Sequence, residues 1–160
     1  MTEYRQWLTA FLSVLVCLSA GTAGSPVSAA ERYVLEARPG AKQAFLLLRP
    51  NGTPKASVVL YAGGSGSVGI RKDGTVKRGG NFLVRTRDLF AARGFLVLVP
   101  DRPSDWASGD KWSYRLTEEH ARDAAALIAF LRAEADVPVW LVGTSRGSIS
   151  AANAAARIGG

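Results

Sequence analysis

V-P-V-W-L-V-G-T-S-R-G-S-I-S-A-A-N, residues 137–153, decides how this chain is read. Val137 to Val142 is a continuous apolar run of strand length, as expected for a strand buried on both faces. Gly143 and Gly147 bracket a tight turn carrying Ser145, and Arg146 to Ile158 reads as a helix. A serine held on such a turn is placed as a nucleophile, and a nucleophilic serine needs a base to take its proton. The chain has one histidine, His120, and it precedes the serine.

Working outward, the sequence alternates strand-like and helix-like pieces. Tyr33 to Ala37 and Ala44 to Arg49 flank Pro39-Gly40 and read as an antiparallel hairpin. Ser57 to Ala62 and Phe95 to Val99 are buried strands, the second stopped by Pro100. Between them, a glycine-rich charged loop leads to Asn81, an expected N-cap for a helix from Phe82 to about Arg93. Thr117 caps a further helix to about Ala135, with Glu118 and Glu119 where the helix dipole favours acids. Ala124, Leu127, Ile128 and Leu131 recur along it at helical spacing. A hairpin followed by repeated strand–helix units predicts an α/β fold, a doubly wound, mostly parallel sheet with a leading antiparallel hairpin.

The bulk properties set bounds. The 160 residues suffice for one ordinary domain. At 48% hydrophobic and 21% charged, the composition is globular and excludes a disordered or fibrous chain. Residues 1–30 read as a signal peptide: a weakly basic start, an apolar run from Leu8 to Leu18, and small residues at Ser28 and Ala30 before cleavage. That run is shorter than the ~20 residues a membrane span needs, so no stable span is expected after cleavage. The domain is then residues 31–160, secreted or periplasmic. Cys17 falls in the leader, so the mature chain has no disulfide and no thiolate metal site. No cofactor or metal is expected. The net charge of +7 and pI near 10.1 come mostly from arginines spread over strands, helices and loops rather than gathered in one stripe. Arg71-Lys72 and Lys77-Arg78 are interrupted by Asp73-Gly74 and read as a solvated loop, so no nucleic-acid partner is expected.

Gly143-Thr144-Ser145-Arg146-Gly147 matches G-x-S-x-G at the end of a strand and the start of a helix, where the glycines leave room for a close helix–strand approach. Acyl transfer also needs amides preorganised around an oxyanion. The amide after the serine, Arg146, is one candidate; the other is Gly64 in Ala62-Gly63-Gly64-Ser65-Gly66, with Ser65 as its alternative. The same loop holds Gly64-Ser65-Gly66-Ser67-Val68-Gly69, a G-x-G-x-x-G match. No helix pattern follows it and the acidic residue comes too late, at Asp101, which argues against a dinucleotide site.

Together these residues make the chain resemble the α/β-hydrolase family, specifically its amino-terminal half: hairpin, oxyanion loop, first crossover helices, and nucleophile elbow. The resemblance implies Ser145 as nucleophile, Gly143 and Gly147 as elbow glycines, and a small-molecule or peptide acyl substrate. In that family the acid and then the histidine follow the serine. The fifteen residues after Ser145 contain neither. His120 is expected at the surface or in a capping role, Asp101 and Asp105 as structural residues or at the site's rim, and the Arg146 guanidinium facing solvent. A sheet ending at Val137–Val142 would expose a doubly apolar edge. The expectation is therefore a partial fold with its carboxyl-terminal strands missing, from an exported serine hydrolase whose acid and histidine lie beyond Gly160, and inactive by itself. The alternative is a non-catalytic exported α/β protein acting as a binding or partner module.

Amino-terminal sequencing of the exported protein should begin at Glu31; recovery of Met1 in that fraction would refute cleavage after Ala30.

Overall fold

The structure is a computed structural model and describes residues 28–106 and 113–158. All but the last three residues of the expected leader lie outside the described residues. Strand β1 (Glu31–Arg38) turns at Pro39-Gly40 into β2 (Ala41–Leu48). Then come β3 (Ala56–Tyr61), helix α1 (Phe82–Ala92) and β4 (Phe95–Pro103). Two short 3-10 turns, Ser104–Trp106 and Ser113–Leu116, precede α2 (Glu118–Glu134), β5 (Val139–Gly143) and α3 (Gly147–Ile158).

The strands form one five-stranded sheet in the order β1-β2-β4-β3-β5. β1 and β2 are antiparallel, with Val34 opposite Ala44; β2 and β4 are also antiparallel, with Leu47 opposite Leu98. β4, β3 and β5 are mutually parallel, with Val59 between Leu98 and Leu141. From β3 the chain moves one way across the sheet to β4, then back over β3 to β5. Right-handed crossovers in opposite directions put their helices on opposite faces, which makes the sheet doubly wound.

The continuous apolar runs follow from this covering. Side chains alternate along a strand, so each central strand feeds two cores. Leu46, Leu48, Val58, Leu60, Val97 and Val99 pack with Leu83, Val84 and Ala91 of α1. Phe45, Leu47, Val59, Tyr61, Leu96 and Leu98 pack with Ala124, Leu127 and Leu131 of α2 and Ala154 of α3. Full burial of each such Leu or Val contributes roughly 1.5–3 kcal/mol.

Three local expectations change. Pro100 does not stop β4, which continues to Pro103. β3 is paired with β4 only as far as Leu98, so Pro100 meets β2 alone, opposite Phe45, beside a register shift between Gln43 and Phe45. A missing N–H is tolerated where the ladder is one-sided and irregular. β5 is half-buried rather than buried, with Trp140 61% exposed, because only β3 flanks it among the described residues. Asn81 occupies the N-cap position of α1 but makes no side-chain cap hydrogen bond. Thr117 does cap α2, its hydroxyl accepting from His120 N at 3.1 Å. No described helix is long and apolar enough to cross a membrane.

A buried ionic network fastens β1 to α2. Asp123, 1% exposed on α2, accepts from Arg38 Nε at 2.6 Å, Arg38 Nη2 at 3.1 Å and the Tyr114 hydroxyl. Arg38 Nη2 also donates to Asp105 at 2.9 Å. Burial, then the Asp123 carboxylate, raises the Tyr114 pKa well above the ordinary tyrosine range, keeping the hydroxyl a donor. Removing one partner of a buried pair leaves the other charge stranded. Asp123→Ala should therefore cost about 3 kcal/mol in urea denaturation, whereas Glu118→Ala, at an exposed i,i+4 pair with Arg122, should stay within about 0.5 kcal/mol.

Candidate active site

The carboxyl ends of β3 and β5 lie side by side, with Tyr61 opposite Gly143. The chain leaves β3 toward α1 on one face and leaves β5 toward α3 on the other. A crevice between diverging connections at the carboxyl ends of parallel strands is where α/β sheets place ligands. Ser145 sits in the β5–α3 turn at this point and is exposed.

Its backbone is distinctive. Ser145 has φ 51°, the one positive value outside glycine among the described residues. That left-handed conformation costs a non-glycine residue roughly 1–2 kcal/mol, so the surroundings must impose it. They do so by contact. A Cβ on Gly143 would lie 2.1 Å from Gly147 O, and a Cβ on Gly147 would lie 2.1 Å from Tyr61 O. Neither backbone can yield, so α3 starts directly against β3 and the turn is pushed up above the sheet. The first turn of α3 is tightened by i→i−3 bonds from Gly147, Ser148 and Ile149, and Ser148 Oγ donates to Ser145 O at 2.5 Å.

The glycine turn after β3 lies against this serine. A Cβ on Gly63 would sit 3.4 Å from Ser145 Cβ and 3.0 Å from Thr144 O, so Gly63 packs directly against the serine's turn. Asn81 Nδ2 lies 3.8 Å from the same point, which is where the side chain that leaves α1 uncapped has gone. Gly64 follows with φ 65° and open space where its Cβ would be. The Ser65 hydroxyl accepts from Arg78 Nη1 at 2.7 Å and from Ser67 N at 3.4 Å. Arg146 is the residue between Ser145 and the start of α3.

One residue that holds the turn, Arg115, gave no signal as a site residue. Arg115, 4% exposed, donates to Ala62 O at 2.8 Å and Gly64 O at 3.3 Å, and to Ser150 Oγ on α3 at 2.5 Å. It thus ties the glycine turn to the helix behind Ser145. It stands in an irregular segment beside exposed Leu116, so no periodicity marks it. Asp101 accepts from Val68 N at 2.8 Å and Ile70 N at 2.7 Å, anchoring the long loop to β4. That structural role is one of those expected for it. Asp105 pairs with Arg38.

His120 corrects an expectation. It is neither a surface residue nor a side-chain cap: it is 4% exposed, its ring 5.6 Å from Tyr61 and 5.0 Å from Tyr114 by centroids. Burial, then the charge of Arg115, lowers its pKa to about 4. The ring is thus neutral and packed between two tyrosines, whereas Ser145 is exposed. Among the described residues no cluster of three or more His, Cys, Asp or Glu could hold a metal ion.

No family model matches the sequence. No curated protein matches it at a significant level. Solved structures do. A cold-adapted esterase from an Arctic intertidal metagenomic library is 20% identical with a TM-score of 0.63, over 84% of this chain and 58% of that one. An alpha-beta serine hydrolase homologue from Coxiella burnetii is 14% identical at 0.55, over 80% and 58%. Brefeldin A esterase, a bacterial homologue of human hormone-sensitive lipase, is 21% identical at 0.56, over 84% and 37%. The chain thus has the α/β-hydrolase fold in part, and spans less than two thirds of these structures.

Gly147→Ala should cost more than about 4 kcal/mol or abolish soluble expression, since backbone faces backbone at the clash. Gly80→Ala, with nothing within 4 Å and an ordinary φ, should stay within about 0.5 kcal/mol in the same denaturant titration.

Proposed function

We propose that the chain belongs to an exported serine hydrolase in which Ser145 attacks the carbonyl of an ester, thioester or amide. The observation that carries this reading is the Ser145 backbone. An exposed serine is held left-handed between two glycines that admit no Cβ, above the carboxyl ends of two parallel strands. Strain of this kind persists only where the surroundings over-determine it, and it collects at functional sites. The fold of the matched esterases is consistent with it.

In this reading the hydroxyl of Ser145 loses its proton as its oxygen bonds to the acyl carbon, and the carbonyl oxygen takes the negative charge. The amides of Arg146 and Gly64 donate to that oxyanion, with the Ser65 amide as the alternative donor. The open space at Gly64 leaves its backbone approachable, and Arg115 holds the carbonyls on either side of the turn. Collapse of the intermediate expels the leaving group and leaves an acyl-serine, which water hydrolyses. His120 is buried between Tyr61 and Tyr114. The base is a histidine oriented by a carboxylate, both from the part of the fold that the longer matched structures possess and these residues do not supply.

The full-length protein should react covalently with a fluorophosphonate probe at Ser145 and hydrolyse p-nitrophenyl esters. Ser145→Ala should abolish labelling and lower kcat by about 10⁴-fold or more. Unchanged esterase activity in Ser145→Ala would refute the assignment.

A further inference from the structure

Beneath the glycine turn lies a small cavity of about 30 Å³, whose walls include Gln43, Tyr61, Arg102, Arg115 and His120. Each of these five has a buried polar atom that no protein group satisfies: Gln43 Oε1, the Tyr61 hydroxyl, Arg102 Nη2, Arg115 Nε and His120 Nδ1. All but Arg102 are more than nine-tenths buried. Buried polar atoms are ordinarily partnered, so five around one cavity mark it as a place built to hold something.

The charges say what. Arg115 is bonded to two carbonyls and a hydroxyl, not to a carboxylate. Burial, then the charges of Arg102 and Arg146, lowers its pKa, yet a guanidinium stays charged at any ordinary pH. Arg102 faces the same space. Asp101 is the one carboxylate in the wall, and its oxygens accept from the backbone N–H groups of Val68, Ile70 and Arg102. Asp123, whose field reaches Tyr61, is paired with Arg38. His120 is neutral, and burial above all keeps Tyr61 protonated. Two guanidiniums against one carboxylate leave one buried positive charge, a costly state without a counter-charge.

We propose that this cavity binds a monovalent inorganic anion of halide size, held by Arg115 Nε, Arg102 Nη2 and the Tyr61 hydroxyl. The size of the space favours a small anion: it accommodates roughly two water-sized bodies. The second is a water. Gln43 Nε2 donates to Asp101 O at 2.8 Å, which turns its oxygen inward as an acceptor for that water. The anion completes the shell of the arginine that holds Ala62 O and Gly64 O, so it stabilises the glycine turn. Anion binding here is read from thermal unfolding and does not require the chemistry assigned to Ser145. A Cβ on Gly66 would lie 2.7 Å from Arg115 Nη2, so even the glycine at the end of the turn is fitted to this guanidinium.

The test compares thermal unfolding of the full-length protein in sodium bromide or chloride with sodium gluconate at equal ionic strength, alongside ³⁵Cl NMR linewidths of the wild type. Halide should raise Tm saturably by about 3–5 °C over gluconate, and the ³⁵Cl line should broaden and narrow again on adding bromide. Arg115→Met should lose the response and Arg102→Gln should weaken it at least tenfold, while Arg71→Gln, on the exposed loop, should keep it. Should Arg115→Met fail to fold, the wild-type linewidth and Arg102→Gln decide. Equal Tm in both salts, no broadening, or an unaltered response in Arg102→Gln would overturn the proposal and assign the cavity to water alone.

Discussion

The contact on which the rest of the structure depends is between backbones: the start of α3 lies against the carboxyl end of β3 with no room for a side chain at Gly147. Gly143 is pressed equally closely against the same first turn of α3. These two approaches leave the connecting residues one path, upward, and Ser145 takes the left-handed conformation as a result. The serine is placed by the sheet rather than by its own loop. A rigid β3–β5 ladder and a helix seated on it hold the exposed hydroxyl more precisely than loop packing would.

Around that contact, charged side chains hold the backbone of loops that carry no regular structure, alongside the apolar burial of Val68. Arg115 grips the glycine turn by its carbonyls, and Asp101 grips the following loop by its amides. A guanidinium is all donor and a carboxylate all acceptor, so each can satisfy several backbone groups that have no ladder partner. The same logic operates at the other edge of the sheet, where Asp123 and Arg38 join α2 to β1. Placing such charges in the interior is costly unless they are compensated, and Arg115 keeps its Nε without a protein partner.

Much of the architecture was legible because local pattern records burial. The apolar runs at residues 57–62, 95–99 and 137–142 gave three strands, and Thr117 gave the start of α2. Pro100 misled because its cost depends on whether a second strand needs its N–H, and β3 has already diverged there. Asn81 misled because its amide turns toward Gly63 instead of its own helix. His120 follows a cap and two acids, so it reads as exposed; yet with Asp123, Ala124 and Leu127 it shares the face of α2 that is buried. An acid on an otherwise apolar face is itself a sign that a buried partner exists, though not of which residue it is.

What the sequence determined by itself is what spacing can encode: which segments are strands or helices, that the central strands are covered on both faces, and that a serine stands between glycines at a strand–helix junction. Spacing acts between residues a few positions apart, where alternation and helical pitch set which side a residue faces. Only the tertiary structure decided which polar groups meet. Arg38 and Asp123 are 85 residues apart, and Arg115 and Ala62 are 53. Nothing local distinguishes these arginines from the solvated ones, because a charge in the interior is selected by its distant partner and by the order in which the strands assemble.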